Sequence, residues 1–188
     1  MSGRRTGLLS RLFGRGGDVE TPARDQPATD VELRPAWQRG DGAIEGDAIA
    51  FWRRLGILPL GVAPEERADQ LVAAAYRRGE LIGVTTAVPD RIESLRAQFF
   101  MLRAAVDPGH RRTHAAIALI VYSRDLLEKW AADNPEEKIA GIGAVIENED
   151  VAARLAEPYW PVTRLGLVGH MPNGRQIRVA WFGHFKYD

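Results

Sequence analysis

Apolar and polar positions along the first part of the chain predict one strand and two helices. Residues 31–35 alternate apolar and polar side chains and end at a proline, which is typical of a short strand. A helix is predicted from an aspartate cap at Asp47 to Leu55. A second helix begins at Pro64, because proline and the two acids after it suit a first helical turn.

The next apolar segments predict a hairpin and a central strand. Residues 72–76 and 81–88 are apolar runs around a polar turn that contains Gly79, which indicates a β-hairpin. A polar loop is expected to begin at Pro89. Residues 98–106 are apolar enough for a strand in the middle of a sheet.

The second half predicts a buried helix, a strand, a short helix and a closing hairpin. Residues 112–132 form a long helical segment whose first half is apolar nearly all round, which indicates burial between layers. Asn173-Gly174 is a strong hairpin-turn signal. The other predicted elements are a strand at 138–146, a helix capped by Asn148 or Asp150, and strands at 163–170 and 176–182.

The predicted order of elements is therefore β-α-α-β-β-β-α-β-α-β-β. A central strand that leads into a buried helix and then into another strand implies a right-handed βαβ crossover, so that part of the sheet is parallel. The fold class expected from this order is α/β or α+β, with a mixed, mostly antiparallel sheet and helices on both faces.

Composition narrows the functional classes. The chain of 188 residues has 25 basic and 25 acidic side chains, and this balance argues against a dedicated nucleic-acid binder. Absence of cysteine excludes disulfides and thiolate chemistry and fits a cytoplasmic protein. No apolar run is long enough to span a bilayer.

The first 30 residues are expected to form a basic, polar tail in front of a single domain over 31–188. They contain too little apolar surface to offset the entropy of ordering. Residues 7–15 place leucines and a phenylalanine among arginines, which permits weak peripheral contact with a membrane or nothing more than a tail with incidental leucines.

The segment 106–120 carries the clearest chemical signal. It leaves a strand through Asp-Pro-Gly, passes Arg111 and Arg112, and enters a buried helix at the small residues Ala115 and Ala116. A helix start of this kind offers unpaired N–H groups and a positive dipole end to an anion. From the residues alone, a phosphate or pyrophosphate cradle and an ordinary corner with solvated arginines are about equally supported.

This segment resembles the acyl-CoA-binding motif of the GNAT superfamily of N-acyltransferases. Arg111 stands at the motif's Arg/Gln position, Ala116 at its last Gly/Ala, and His114 where the family carries its first glycine. The element order from residue 31 to the C-terminus is also similar to the GNAT fold. The resemblance implies acetyl-CoA as co-substrate between the strand ending at Val106 and the strand at 139–146. It implies contacts to that co-substrate from Ala104, Val106, Arg111, Arg112, Thr113, His114, Ala115, Ala116 and Asn148.

The same resemblance implies direct attack of a primary amine, from a small molecule or a peptide, on the thioester. Tyr159 lies near the family's tyrosine that protonates the leaving thiolate. Glu147 and His170 are the candidate bases, because the strand at 98–106 contains no glutamate. Arg103 indicates an anionic group on the acceptor or an arginine on an outer strand face, and Trp160 lines an acceptor pocket or packs at a strand edge.

Several alternatives stay open at this point. The same fold serves acyltransferases that use longer chains, and it can serve as a non-catalytic binding or regulatory module. No metal is expected, since His110 and His114 have i, i+4 spacing but no evident third ligand. The C-terminal hairpin at 163–182 presents an edge that can pair with a second subunit, which would give a homodimer.

Overall fold

The structure of the protein is a computed structural model that describes residues 30–58, 60–154 and 156–186. Within these ranges it contains eight strands and four α-helices, joined by short turns. In chain order these are β1 (Val31–Pro35), α1 (Gly42–Leu55), α2 (Pro64–Ala68), β2 (Leu71–Arg77), β3 (Glu80–Ile92), β4 (Ala97–Val106), α3 (Ala115–Asp133), β5 (Ile139–Val145), α4 (Glu149–Arg154), β6 (Tyr159–Trp160), β7 (Leu165–His170) and β8 (Gln176–Trp181).

All the strands form one sheet in the order β1-β2-β3-β4-β5-β8-β7-β6. Every neighbouring pair is antiparallel except β4 and β5, which are parallel and are connected by α3. The mixed sheet with a central parallel βαβ unit, predicted from the order of elements, is confirmed.

Helices cover both faces of the sheet. On one face Phe51 and Trp52 of α1 pack against buried residues of β2 and β3, such as Val84. On the other face α3 lies over the centre of the sheet, with Leu119 packed on β2 and β3 and Leu127 packed on β4 and β5. Burial of large apolar side chains on both faces supplies the main stabilising free energy of such a layered domain.

The first helix begins earlier than the sequence pattern indicates. Asp41 caps α1, because its carboxylate accepts hydrogen bonds from the N–H groups of Ala43 and Ile44 at 3.1 and 3.4 Å. Asp47, the predicted cap, lies inside the helix, where its carboxylate accepts a hydrogen bond from the Tyr76 hydroxyl at 2.7 Å. Both Asp41 and Asp47 precede apolar residues of the helix, so the sequence pattern alone does not show which one is the cap. The structure shows it, because Asp47 bonds to Tyr76 of β2 instead of to the helix start.

Strand β3 continues through the residues predicted as a loop, since Pro89 pairs with Phe100 and Ile92 pairs with Ala97. The proline is accommodated because its nitrogen faces the side of β2, and β2 has already ended at Leu71, which lies opposite Thr86. A proline that faces no partner strand interrupts no ladder hydrogen bond.

Parts of the sequence-based predictions fall outside the described residues. Residues 1–29, with the membrane-contact segment at 7–15, are among these, so the division of the chain near residue 30 stays a prediction. Among the helices that are described, none combines the length and the apolar character needed to cross a membrane.

Candidate functional site

The parallel strands β4 and β5 separate before β4 ends. The last residues that pair across β4 and β5 are Met101 and Gly143, whereas β3 follows β4 as far as Val106. Beyond Met101, in the described part of the chain, the edge of β4 that faces β5 therefore has no strand partner.

The open edge presents the backbone of two predicted site residues. The N–H of Asp107 donates to the carbonyl of Ile82 at 2.8 Å, which identifies these two as a hydrogen-bonded pair of the β3–β4 ladder. Since bonding alternates along an antiparallel strand, the N–H and C=O groups of Ala104 and Val106 point away from β3 and into the gap. An extended ligand can bind there as an added strand would.

The corner between β4 and α3 is held by Asp107. The chain turns through a single 3-10 helix, Pro108–Thr113, and the Asp107 carboxylate accepts from the N–H of Gly109 at 2.8 Å. The same carboxylate pairs with Arg54 of α1 at 2.5 Å. The Arg54 guanidinium and the Gly109 N–H hold the pKa of Asp107 below its ordinary value. Arg111 and Arg112 contribute their backbone to this turn, but their side chains lie outside the described part of the structure.

Helix α3 begins at Ala115, three residues later than predicted, because the 3-10 turn intervenes. His114 has φ 57° and ψ 13°, the left-handed conformation that glycine favours, and its side chain makes no capping hydrogen bond. Ala115 is buried and Ala116 is exposed. The first N–H groups of the helix have no intrahelical acceptor, so this end suits an anion that approaches over Ala116.

A cleft of about 880 Å³ lies between the open edge of β4, the start of α3 and the helices of the opposite face. It brings together six of the residues predicted from the sequence: Arg103, Ala104, Val106, Ala116, Glu147 and Asn148. An apolar wall comes from α1 and the segment after it, namely Trp52, Leu55, Ile57 and Leu58. Thr113, His114 and Ala115 belong to the corner beside the cleft, where Thr113 donates to the carbonyl of His110 at 2.7 Å.

Glu147 and Asn148 follow β5 on the far side of the gap. Asn148 caps α4, since its side-chain oxygen accepts from the N–H of Val151 at 3.1 Å. Glu147 is exposed and lines both the cleft and an adjoining pocket of about 210 Å³. Arg103 lines both cavities as well, and Arg175, from the turn between β7 and β8, lines the smaller one.

Arg67 of α2 is a cleft residue that the sequence did not single out. It is half-buried, and its guanidinium donates to the side-chain oxygen of Gln70 at 2.9 Å. Burial lowers the pKa of Arg67, the charge of Arg103 lowers it further, and the charge of Glu147 opposes the shift. Arg103 and Glu147 therefore both lie within electrostatic range of Arg67.

Three predicted site residues lie elsewhere in the fold. Tyr159 is 51% exposed on β6, which β7 and β8 separate from β5. Trp160 is half-buried, with the guanidinium of Arg178 3.9 Å above its ring. His170 is exposed at the end of β7, next to Met171, which lines the smaller pocket. None of these three is among the described residues that line either cavity.

Metal ligands are not grouped in the part of the chain that the structure describes. No set of three or more histidine, cysteine, aspartate or glutamate side chains converges there. His110 lies 3.9 Å from the carboxylate of Asp107, which is engaged by Arg54.

Comparison of the sequence with models of known families and with curated proteins gave no significant match. Comparison with solved structures gave many. A GNAT-family acetyltransferase from Streptococcus pneumoniae matches with a TM-score of 0.52 and 11% identity, over 81% of this chain and 99% of that one. A mutant of the toxin AtaT, bound to the C-terminus of the antitoxin AtaR, matches with a TM-score of 0.51 and 12% identity, over 81% of this chain and 94% of that one.

The agreement extends over nearly the whole length of these two proteins, although only 11% and 12% of the residues are identical. The sheet of this chain has one parallel pair at its centre, as the order of elements predicted. The chain therefore has the fold of the GNAT acyl-CoA N-acyltransferases.

Proposed function

We propose that this protein is an acyl-CoA-dependent N-acyltransferase that transfers an acetyl group from acetyl-CoA to a primary amine. The observation that carries the proposal is the gap between β4 and β5, which opens beside the start of α3. An extended pantetheine arm fits the backbone groups of Ala104 and Val106, and a diphosphate fits the N–H groups over Ala116. The GNAT fold agrees with this assignment but does not by itself establish activity.

The residues of the cleft suit direct transfer. The thioester supplies an activated acyl group, and the amine nitrogen forms the new C–N bond as the C–S bond breaks. Glu147 is the base we assign, because it lines the cleft and its carboxylate can accept a proton from the acceptor ammonium. The departing sulfur takes up a proton and leaves as the thiol. Tyr159 as the proton donor, and His170 as a second base, stay predictions from the resemblance.

The proposal is tested first by binding. Calorimetric titration of the full chain with acetyl-CoA and with CoA is expected to show micromolar affinity for both. Release of CoA thiol in the presence of a panel of primary amines then measures transfer. Absence of binding to either compound, with an intact fold, would contradict the assignment of the cleft.

Glu147→Gln tests the assigned base. We expect acetyl-CoA affinity to be unchanged and turnover to fall by about 10²-fold, because the variant cannot accept the proton. Glu137→Gln is the matched control, since Glu137 is exposed in a short turn after α3 and does not line either cavity. Equal turnover of Glu147→Gln and the unmodified protein would exclude Glu147 as the base.

A longer acyl chain is a second candidate for the donor. The apolar wall of the cleft includes Ile57, which is 46% exposed and available to a hydrocarbon chain. A series of donors from acetyl-CoA to octanoyl-CoA distinguishes the two. A rise in kcat/KM with chain length favours the longer donor, and a fall favours acetyl-CoA.

A further inference from the structure

Arg67 and Arg103 place two positive charges in one cleft, where the described lining residues include one acid, Glu147. Arg67 donates to the neutral amide of Gln70, and neither arginine forms an ion pair within the described part of the chain. Arg67 is half-buried and Arg103 is exposed, and their charges repel one another across the cleft. An anionic ligand bound between them offsets that repulsion.

The strand geometry separates Arg103 from the diphosphate end of the cleft. Arg103 lies opposite Thr86 in the ladder and Ala105 lies opposite Val84, so their side chains share the face that α1 covers. Three residues of extended strand, on the order of 10 Å, separate Arg103 from Val106 at the α3 corner. Arg103 therefore lies near the end of the gap where β4 and β5 still pair, at Met101 and Gly143. Arg67 of α2 lines the same cleft and lies within electrostatic range of Arg103.

We propose that Arg67 and Arg103 bind a carboxylate of the acceptor, so that the acceptor is a small amine that also carries a carboxylate. This proposal rests on the proposed function. Guanidinium groups recognise a carboxylate through paired, charge-assisted hydrogen bonds. Glu147 lines the same cleft and its charge acts on Arg67, so its carboxylate can attract the ammonium of such a molecule. The same carboxylate repels a phosphate dianion more strongly than a monoanion.

Binding of matched compounds tests the inference without acyl transfer. Amino acids and their carboxamides are titrated calorimetrically into the full chain, with each pair differing only at the carboxylate. We expect the carboxylate member of at least one pair to bind about 10- to 100-fold more tightly, which is the factor expected for a hydrogen bond between charged groups. Equal affinity within every pair, or no binding across the panel, would overturn the proposal.

Variants of the two arginines test whether these side chains cause the tighter binding of the carboxylate. Arg67→Met and Arg103→Met are each expected to abolish the preference for the carboxylate and to leave carboxamide binding within a few-fold of the unmodified protein. Arg39→Met is the control, because Arg39 is exposed and does not line either cavity. Equal loss of carboxylate and carboxamide binding would show that the arginines act on the fold, and the proposal would then be wrong.

Titration of the same protein preparations with acetyl-CoA tests the acyltransferase function independently of the carboxylate site. Tight acetyl-CoA binding without any carboxylate preference would overturn the carboxylate site and leave the proposed function standing. A carboxylate preference that depends on both arginines, without acetyl-CoA binding, would establish the anion site and contradict the proposed function. Tighter binding of an aminophosphonate than of its carboxylate analogue would show that the two arginines prefer a dianion. That result would overturn the inference that they bind a carboxylate.

Discussion

At the scale of single residues, His114 has a backbone conformation that suits glycine, the residue that the GNAT motif carries at this position. The position has φ 57°, which glycine adopts at no steric cost and other residues adopt at a cost of about 1–2 kcal/mol. Histidine is among the side chains that tolerate this region better than most. The turn into α3 therefore keeps the conformation that a glycine would give it, and the histidine side chain remains exposed.

Substitution of His114 tests this interpretation. We expect His114→Gly to keep or slightly raise the free energy of unfolding, because the gain from relieved strain exceeds or offsets the entropy of the more flexible unfolded chain. His114→Val should lose about 1–2 kcal/mol, since a β-branched side chain is poorly accommodated at positive φ. Chemical denaturation of both variants measures the difference. Equal stability of the glycine and valine variants would contradict a left-handed conformation here.

At the scale of elements, the path of β5 depends on a close approach of two backbones. A Cβ added at Gly141 would lie 2.1 Å from the carbonyl oxygen of Ala180 and 3.0 Å from the Cα of Trp181. Both contacts are to β8 backbone, which cannot rotate away as a side chain can. Glycine at this position therefore allows β8 to pair with β5 while β5 also pairs with β4.

Gly141→Ala is expected to destabilise the protein by about 1–3 kcal/mol or more, because overpacking must displace a ladder strand. The melting temperature should fall by several degrees, on the order of 5 °C. Gly169→Ala on β7 is the matched control, since no atom lies within 4 Å of its added Cβ. Similar melting temperatures for the two variants would contradict the close pairing of β5 with β8.

Strands and helices were predictable from the sequence where their apolar residues form a continuous run. The apolar run of β4 and the apolar start of α3 predict those elements to within a few residues, because long apolar segments are typical of buried strands and helices. The resemblance to the GNAT motif in the same stretch of chain gave Ala104, Val106 and Ala116 as site residues, and all three line the cleft. The continuation of β3 past Pro89 was not predictable, because it depends on β2 ending one strand away.

Site residues that come together only through tertiary structure could not be predicted from the sequence. Arg67 enters the cleft from α2, a five-residue helix whose sequence gives no sign of a ligand site. Tyr159 follows α4 in the chain, as the resemblance requires, but the strand that it forms lies at the far edge of the sheet. Pairing of β6 with Gly166 and Leu165 also covers part of the hairpin edge proposed for a homodimer, which stays a prediction.

At the scale of the whole molecule, Asp107 joins the two layers on either side of the sheet. Its carboxylate connects Arg54 of α1 with the turn that leads into α3, across 53 positions of sequence. The pKa of Asp107 is lowered in the folded state, so the folded state binds its proton less readily than the unfolded chain does. The resulting stability is fully present above the ordinary value of 3.8 and is lost as the pH falls through the lower folded value.

Asp107→Asn should therefore change how stability depends on pH. At pH 7 we expect the variant to unfold with a free energy about 0.5–1 kcal/mol below that of the unmodified protein, because it loses the charge opposite Arg54 but keeps an oxygen for the Gly109 N–H. The gap should close as the pH falls through the lowered folded pKa of Asp107, because the native aspartate then becomes protonated. Urea denaturation at a series of pH values measures it, with exposed Asp133→Asn as the control. A gap that persists unchanged at low pH would show that Asp107 acts through packing, and that the two layers are not coupled by its charge.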